Sequence, residues 1–250
     1  MPQNGFHALF GAAVSRRLFP NQTGSVFGFT LGSMLPDADI IPMIVLWLAH
    51  QPIHNTHRNI THSLFFAVGA FLLGVGLRYY RRAGGAFLTA LALGTLAHAV
   101  FDVFFWFSEV DLLWPLGELR GWPPINIWHW LKLPVIAGNP DLIGNELSAC
   151  EAVAFALYLG YVYRLAKADG AAGRLLQFTR VTSLAGWVLF PIALATGIFL
   201  PKLAQNFLVY GPNILLFFPT ACVATIAFRH ALAQPSQESV VITYPQRVTD

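Results

Sequence analysis

Long apolar segments constrain this chain more than any other feature of its sequence. A helix that crosses a membrane needs roughly 20 mainly apolar residues. Five segments meet this requirement: Ile60–Leu77, Ala86–Phe107, Leu147–Tyr163, Val181–Leu200 and Phe207–Phe228. Only 11% of the residues are charged and 56% are hydrophobic, whereas soluble domains carry about 25% charged residues. The sequence therefore predicts an all-α integral membrane protein and argues against a soluble enzyme or a disordered chain.

A sixth apolar segment, Val26–Ala49, is interrupted in its middle by two prolines and two aspartates. Pro36 and Pro42 remove backbone donors and disfavour a continuous helix, so we expect a broken first span whose centre is buried in protein. The stretch Phe6–Val14 is too short to cross and is expected to form a short N-terminal helix, re-entrant or at the interface. Together these segments predict a polytopic bundle of about six transmembrane helices.

Basic residues indicate the orientation of this bundle. In a six-span arrangement, most of them fall on one side together with both termini: Arg16, Arg17, Arg78, Arg81, Arg82, Arg164, Lys167, Arg174, Arg180 and Arg229. Because basic loops tend to stay in the cytoplasm, we expect a multi-pass protein of a bacterial-type inner membrane with cytoplasmic termini. Such loops also account for the net charge of +3, so no nucleic-acid partner is expected.

Motifs, composition and hydropathy together divide the chain into four regions. Residues 1–120 carry the metal-site motifs described below, 121–146 form a loop rich in Trp and Pro, 147–230 add further transmembrane helices, and 231–250 form a polar tail. Tryptophan favours the headgroup level of a membrane. We therefore expect the loop to lie along the outer interface, where it could also act as a lid over a lipid-facing site.

Histidine and aspartate dominate the ionisable residues within and beside the first apolar segments. Such residues are costly in a membrane and usually functional. Imidazole and carboxylate groups are ligands of zinc, manganese and iron, whereas a structural ion-pair network would contain more arginine or lysine. We predict a centre for one or two divalent ions, zinc first and manganese or iron as alternatives, made from His7, Asp37, Asp39, His57, His62, His98 and Asp102.

Spacing supports this prediction at two places. His98 and Asp102 are four positions apart in a helical segment and therefore share one face of the helix. Asp37 and Asp39 lie in an apolar turn, where two carboxylates repel each other unless a cation or a proton neutralises them. A plain His–Asp hydrogen bond and an ordinary surface turn are the respective alternatives.

The mouth of the second span adds two histidines and an arginine. His57 and His62 could bind the metal or serve as acid–base groups, and Arg58 could bind a phosphate. Each histidine taken alone is more typical of a hydrogen-bonded core or interface residue, and the metal interpretation rests on the histidines taken together with three aspartates in a chain with few charges.

Three further acidic residues lie near these segments. Glu151, in the fourth span, is expected either to form a hydrogen bond to a neighbouring helix or to serve the site. Glu109 and Asp111 follow the third span and could reach the mouth of the site.

Taken in order, the motifs resemble those of a known family. His7 is followed by Gly32-Ser33-Met34-Leu35-Pro36-Asp37-Ala38-Asp39, by His57-Arg58-x-x-Thr61-His62-Ser63, by His98-x-x-x-Asp102 and by Trp114-Pro115-Leu116. Over residues 1–120 this order resembles the membrane-bound, metal-dependent hydrolase family whose named bacterial member is a LexA-regulated inner-membrane protein. The resemblance implies a helical membrane protein with a metal centre at these His and Asp positions.

That family is in turn distantly similar to zinc phospholipase C and P1 nuclease, helical phosphoesterases that use a His-x-x-x-Asp pair among their ligands. This sequence has no downstream His-x-x-x-Glu pair, which leaves the trinuclear metal count of those enzymes open here.

The residues and the resemblance together predict a membrane-embedded, metal-dependent hydrolase of phosphoester bonds in a membrane lipid or another amphiphile. Asp39 or His62 would orient ligands or transfer protons, and Arg58 would neutralise charge on the phosphate. The alternatives are a proton- or metal-coupled transporter and a structural membrane protein whose helices are joined by the metal.

Two of these expectations conflict. The six-span topology places His7 near the cytoplasmic face and His62 near the outer mouth, whereas the metal prediction requires the two histidines to be close together. The proximity of seven ligand-type residues explains more of the sequence than the topology does, so we expect His7 to reach the site.

Overall fold

A computed structural model describes residues 4–50, 60–82, 84–105, 112–116, 142–197, 208 and 211–234. Within these ranges every regular element is helical. The α-helices are α1 Asn4–Leu18, α2 Thr23–Gly32, α3 Ile40–Leu48, α4 Leu64–Tyr79, α5 Gly85–Phe105, α6 Leu142–Ala168, α7 Arg174–Gly197, α8 Phe218–Ala227 and α9 Arg229–Ala233. The predicted all-α architecture is thus confirmed for the described part of the chain.

Three of the described helices are long and apolar enough to cross a membrane: Gly85–Phe104, Ala149–Ala168 and Arg174–Thr196. Two further apolar helices, Leu64–Tyr79 and Asn213–Ala227, are shorter. The six spans predicted from the sequence are therefore not confirmed, and the sidedness of the termini stays a prediction.

The predicted interruption of the first apolar segment is present. Helix α2 ends at Gly32, a 3₁₀ turn follows at Leu35–Asp39, and α3 begins at Ile40. Pro36 stands at the start of this turn, where its fixed φ is suitable and its missing N–H would have no helical partner. The turn therefore holds Asp37 and Asp39 outside a regular α-helix, and Asp37 is buried.

A second 3₁₀ turn, Ile60–His62, separates the start of the predicted second span from helix α4. The Ser63 side chain caps α4 by accepting a hydrogen bond from the Phe65 N–H at 3.1 Å. This cap begins the helix after His62, so His62 lies on the turn rather than in the first turn of the helix.

Glycines allow α2 and α5 to pack backbone against backbone. A Cβ atom on Gly28 would overlap the Phe87 carbonyl, and one on Gly32 would overlap the Leu91 carbonyl. The spacing Gly28-x-x-x-Gly32 places both glycines on one face of α2, as in closely packed membrane helices. This close approach brings the end of α2 next to the face of α5 that carries His98.

The largest buried apolar cluster centres on α6. Phe155, Tyr158 and Leu159 are fully buried and pack against Phe218 of α8 and the preceding residue Phe217. Helices α1 and α2 add small side chains to the same cluster. By contrast, α4 and α7 carry many exposed large apolar side chains. Such faces suit a lipid environment, where apolar exposure carries no hydrophobic penalty.

We predict that Gly32→Ala lowers stability by about 1–3 kcal/mol, since the added methyl group must push α2 away from α5. Thermal unfolding of the purified protein in detergent measures the effect. Gly24→Ala is the matched control because Gly24 lies in the same helix with nothing within 4 Å of its Cβ position. Equal melting temperatures for the two variants would contradict the proposed backbone contact.

Candidate metal centre

Four buried side chains converge from three separate elements. His98 and Asp102 lie one turn apart on α5, Asp37 lies on the first 3₁₀ turn and His62 ends the second. Each of the four is between 0% and 2% exposed. Buried carboxylates and imidazoles at such proximity are stable only if a cation or protons balance them.

The distances between the facing atoms fit one metal ion. His62 Nε2 lies 3.1 Å from His98 Nε2. The four histidine–carboxylate distances are 3.5 Å for His62–Asp37, 3.6 Å for His62–Asp102, 3.6 Å for His98–Asp37 and 3.5 Å for His98–Asp102. One ligand atom from each residue lies within 4.8 Å of all the others. Ligands bound tetrahedrally at about 2.0–2.1 Å from zinc lie roughly 3.3 Å apart, so the cluster has the right size.

The Ser33 carbonyl fixes the tautomer of His98. His98 Nδ1 lies 2.8 Å from this oxygen, and a carbonyl can only accept a hydrogen bond. The ring proton is therefore on Nδ1 in the neutral imidazole, and Nε2 presents a bare lone pair to the cluster. A backbone acceptor of this kind behind a histidine is typical of metal sites.

Thr61 and Asp39 together fix the tautomer of His62, as the Ser33 carbonyl does for His98. The Thr61 hydroxyl donates to Asp39 Oδ2 at 2.9 Å, so its single proton is already used. Its contact with His62 Nδ1, at 3.1 Å, must then be donated by the ring. His62 Nε2 is consequently left with a bare lone pair that faces His98 and both carboxylates.

When both imidazoles are neutral, the four atoms that face one another are all hydrogen-bond acceptors. Asp37 Oδ1, which faces both histidines, has no hydrogen-bond partner among the described atoms. Two imidazole lone pairs and two carboxylate oxygens that meet in a buried space repel one another unless a cation or a proton lies between them. As metal ligands, these nitrogen and oxygen atoms suit zinc, manganese or iron.

His7 contacts the cluster from α1. Its Nε2 lies 3.0 Å from Asp102 Oδ1. The other carboxylate oxygen, Asp102 Oδ2, is the one that faces His62 and His98. The His7 and His98 rings are stacked, with centroids 3.7 Å apart. His7 Nε2–H thus orients Asp102, and the predicted proximity of His7 to the other site residues is confirmed.

Asn4 holds the other carboxylate. In the amide orientation that satisfies both neighbours, its nitrogen donates to Asp37 Oδ2 at 3.0 Å and to the Met34 carbonyl at 3.1 Å. Each aspartate of the cluster therefore has one oxygen oriented by α1 and the other directed at the histidines.

Glu151 anchors α1 from the second half of the chain. Its Oε1 accepts a hydrogen bond from the Gly5 N–H at 2.6 Å, at the positive end of the α1 dipole. The expected hydrogen bond to a neighbouring helix is thus present, with a backbone group as its donor. Glu151 is 2% exposed and fixes the helix that carries Asn4 and His7.

The Trp114-Pro115-Leu116 motif lies beside the start of α4. Ser63 Oγ donates to the Trp114 carbonyl at 2.7 Å, and the Leu64 N–H donates to the Leu112 carbonyl at 2.9 Å. These bonds tie the segment 112–116 to the residues that directly follow His62.

Several predicted site residues lie outside the described residues: His57, Arg58, Glu109 and Asp111, together with residues 121–141 of the predicted loop and 235–250 of the tail. Their roles stay predictions. Helix α6 begins at Leu142, earlier than the predicted start of the fourth span at Leu147, so the end of the predicted 121–146 loop is helical.

Sequence reasoning assigned no role to Asn4, Ser33 or Thr61. Ser33 and Thr61 belong to the motifs that carry the family resemblance, and this membership was the only sequence feature that could have pointed to them. The role of Ser33 comes from its backbone carbonyl, and no side-chain pattern reveals that. Asn4 has no such signal, because its contact depends on how α1 packs.

The chain belongs to the YdjM inner membrane protein family, whose family model matches residues 1–171. This is the LexA-regulated inner-membrane family that the motifs indicated, and the match extends past residue 120 to include α6. No curated protein and no solved structure gives a significant match. The more distant likeness to zinc phospholipase C and P1 nuclease finds no support in these comparisons.

We predict that the purified protein carries a divalent metal ion and that His98→Ala loses it, because one ligand and the Ser33 contact disappear together. Inductively coupled plasma mass spectrometry on detergent-purified protein measures the metal content. His230→Ala is the control, since His230 is exposed and distant in sequence from the cluster. An equal metal content in His98→Ala and wild type would contradict the assignment.

We predict that Thr61→Val weakens metal affinity about 10–100-fold, as expected when a group that orients a metal-binding histidine is removed. Competition with a chelator of known affinity measures the change. Thr89→Val is the matched control, because the Thr89 hydroxyl only donates to the Gly85 carbonyl of its own helix. Equal affinities in the two variants would place Thr61 outside the site.

Proposed function

We propose that this chain is a membrane-embedded, metal-dependent hydrolase that cleaves phosphoester bonds in a lipid or amphiphilic substrate. The observation that carries the proposal is the set of four buried acceptor atoms of His62, His98, Asp37 and Asp102, which fits one divalent ion. An ion held there would lower the pKa of a bound water towards 7 and polarise a phosphate oxygen.

The ligand chemistry favours a catalytic over a purely structural ion. Structural zinc sites are built mainly from cysteine thiolates and are closed, whereas catalytic sites use histidine and carboxylate and keep an open position. Neither Cys150 nor Cys222 belongs to the cluster. Histidine and aspartate ligands also accommodate manganese or iron at higher coordination numbers, which leaves room for water and substrate.

The surrounding residues have distinct roles in this proposal. His7 and Asn4 orient the two carboxylates, and the Ser33 carbonyl keeps the proton of His98 away from the metal side. Asp39, through Thr61, holds His62 in the same Nδ1–H tautomer as His98 and could receive a proton from this chain of hydrogen bonds. Asp39 as a direct ligand, a second metal ion and Arg58 as the phosphate-binding group stay predictions.

Apolar side chains near the site support an amphiphilic substrate. Phe65 and Phe66 follow the His62 turn and are 46% and 43% exposed, and Phe104 on α5 is 42% exposed. The elements that carry His62 and Asp102 therefore also present aromatic surface, which favours contact with acyl chains over contact with water. A soluble substrate would not need such surroundings.

A proton- or metal-coupled transporter is the second candidate, and one observation favours it. Asp39, Thr61 and His62 form a hydrogen-bonded series, and His62 Nε2 lies 3.1 Å from His98 Nε2. Series of buried histidine and carboxylate groups serve as proton relays in pumps and transporters.

We predict that the metal-loaded protein in mixed micelles hydrolyses phosphatidic acid, a monoester, or phosphatidylglycerol, a diester. Asp37→Asn and His62→Ala should lower the rate by more than about 100-fold, beyond the usual cost of losing a group that only orients a ligand. Released phosphate or headgroup is measured, with His230→Ala as the control. Metal-dependent turnover that persists in both ligand variants would contradict the proposal.

Two other results would favour a different function for the protein. Metal-loaded protein without activity on any phosphoester, but with ion uptake in proteoliposomes, would favour the transporter. A closed four-coordinate ion, measured by X-ray absorption spectroscopy, would favour the structural role.

A further inference from the structure

A groove runs between α6 and α7, apart from the candidate metal centre. It encloses about 370 Å³ and shares no residue with the metal cluster. We call it the α6/α7 groove; its lining is Ala156, Leu157, Gly160, Tyr161, Tyr163, Arg164, Arg180, Ser183, Leu184 and Trp187. Both helices contain candidate membrane spans.

One part of the groove is apolar and presents no free polar group at its floor. Leu157, Leu184 and Trp187 are 46%, 53% and 46% exposed, large values for apolar side chains of this size. The buried Ser183 hydroxyl donates to the Ala156 carbonyl at 2.7 Å and is thereby satisfied. An acyl chain fits this predominantly apolar surface.

The other part of the groove carries two arginines from facing helices. Arg164 lies one turn before the end of α6, and Arg180 lies within two turns of the start of α7, so both are close to the connecting turn. The Arg180 guanidinium stacks over the Tyr163 ring at 5.9 Å from its centroid. Neither arginine forms a salt bridge with a carboxylate of the described residues. Asp169, in the connecting turn, accepts a hydrogen bond from the Gln234 amide instead.

We propose that the α6/α7 groove binds an anionic phospholipid of the surrounding bilayer. The phosphate lies between Arg164 and Arg180, and the upper part of an acyl chain lies on Leu157, Leu184 and Trp187. Arg180 and Trp187 are separated by two helical turns, about 10 Å, which matches the step from a headgroup phosphate to the first acyl carbons. Basic pockets between helices near a membrane surface bind such headgroups, and arginine also suits phosphate because its planar fork donates two parallel hydrogen bonds.

Lipid-dependent thermal stability of the delipidated protein in detergent tests this proposal. Added phosphatidylglycerol should raise the melting temperature of the wild type, and phosphatidylcholine should raise it less. The concentration needed for half of the phosphatidylglycerol effect should increase about tenfold or more in Arg164→Gln/Arg180→Gln. Native mass spectrometry should show a matching loss of retained anionic lipid.

The control is Arg17→Gln/Arg174→Gln, which removes the same charge from two exposed residues outside the groove and should respond as the wild type does. Trp187→Ala should weaken binding of phosphatidylglycerol while leaving any weak binding of glycerol 1-phosphate unchanged. The arginine variant should keep its full metal content, so the outcome is independent of the hydrolase proposal.

Three results would overturn the proposal. Equal weakening in the two double variants would indicate general charge attraction without a site. Equal stabilisation of the wild type by phosphatidylcholine would exclude selection for an anionic headgroup. Stabilisation by glycerol 1-phosphate or inorganic phosphate at the concentrations that suffice for phosphatidylglycerol would identify a soluble anion, and not a lipid, as the ligand.

Discussion

Repulsion between acceptor groups is the constraint on which the rest of the site depends. Asp37, Asp102 and two imidazole lone pairs meet in a buried region, where the absence of bulk water makes mutual repulsion costly. His7 and Asn4 donate to the outer oxygens of the two aspartates, which does not relieve the repulsion between the atoms that face one another. The Ser33 carbonyl and the Thr61 hydroxyl instead keep the ring protons on the far side of His98 and His62. Such an arrangement is stable when a cation occupies the centre.

Helix packing supplies the precision that this arrangement requires. Gly28 and Gly32 bring α2 against α5, which places the Ser33 carbonyl within hydrogen-bond distance of His98. On the opposite side, Glu151 of α6 holds the start of α1 through the Gly5 N–H, and α1 in turn orients both aspartates. The candidate metal ligands among the described residues lie between residues 37 and 102, whereas the groups that position them extend to α6.

Residue spacing and motifs in the sequence predicted which residues belong to the site better than they predicted how those residues are arranged. The i, i+4 spacing of His98 and Asp102 fixes their relation because it depends on helix geometry alone. The prolines likewise indicated the break that carries Asp37. The contacts of Ser33 and Asn4 were not predictable, since they depend on how distant helices approach each other and on a backbone carbonyl. His7 was placed correctly by its residue type and motif, against the simple topology, because hydropathy does not register a short helix packed inside the protein.

The fixed tautomer of His98 bears differently on the two candidate functions. A proton relay requires each imidazole to release a proton from one nitrogen and take up another at the other nitrogen. Once Asp39 takes up a proton, Thr61 can reverse its hydrogen bonds, so His62 could take part in such a relay. The Ser33 carbonyl cannot donate, so His98 would have to leave this acceptor or carry two protons at once. A metal ligand has the opposite requirement, because its free nitrogen must stay unprotonated. The Ser33–His98 bond therefore favours a metal centre over a proton pathway, and with it the hydrolase over a proton-coupled transporter.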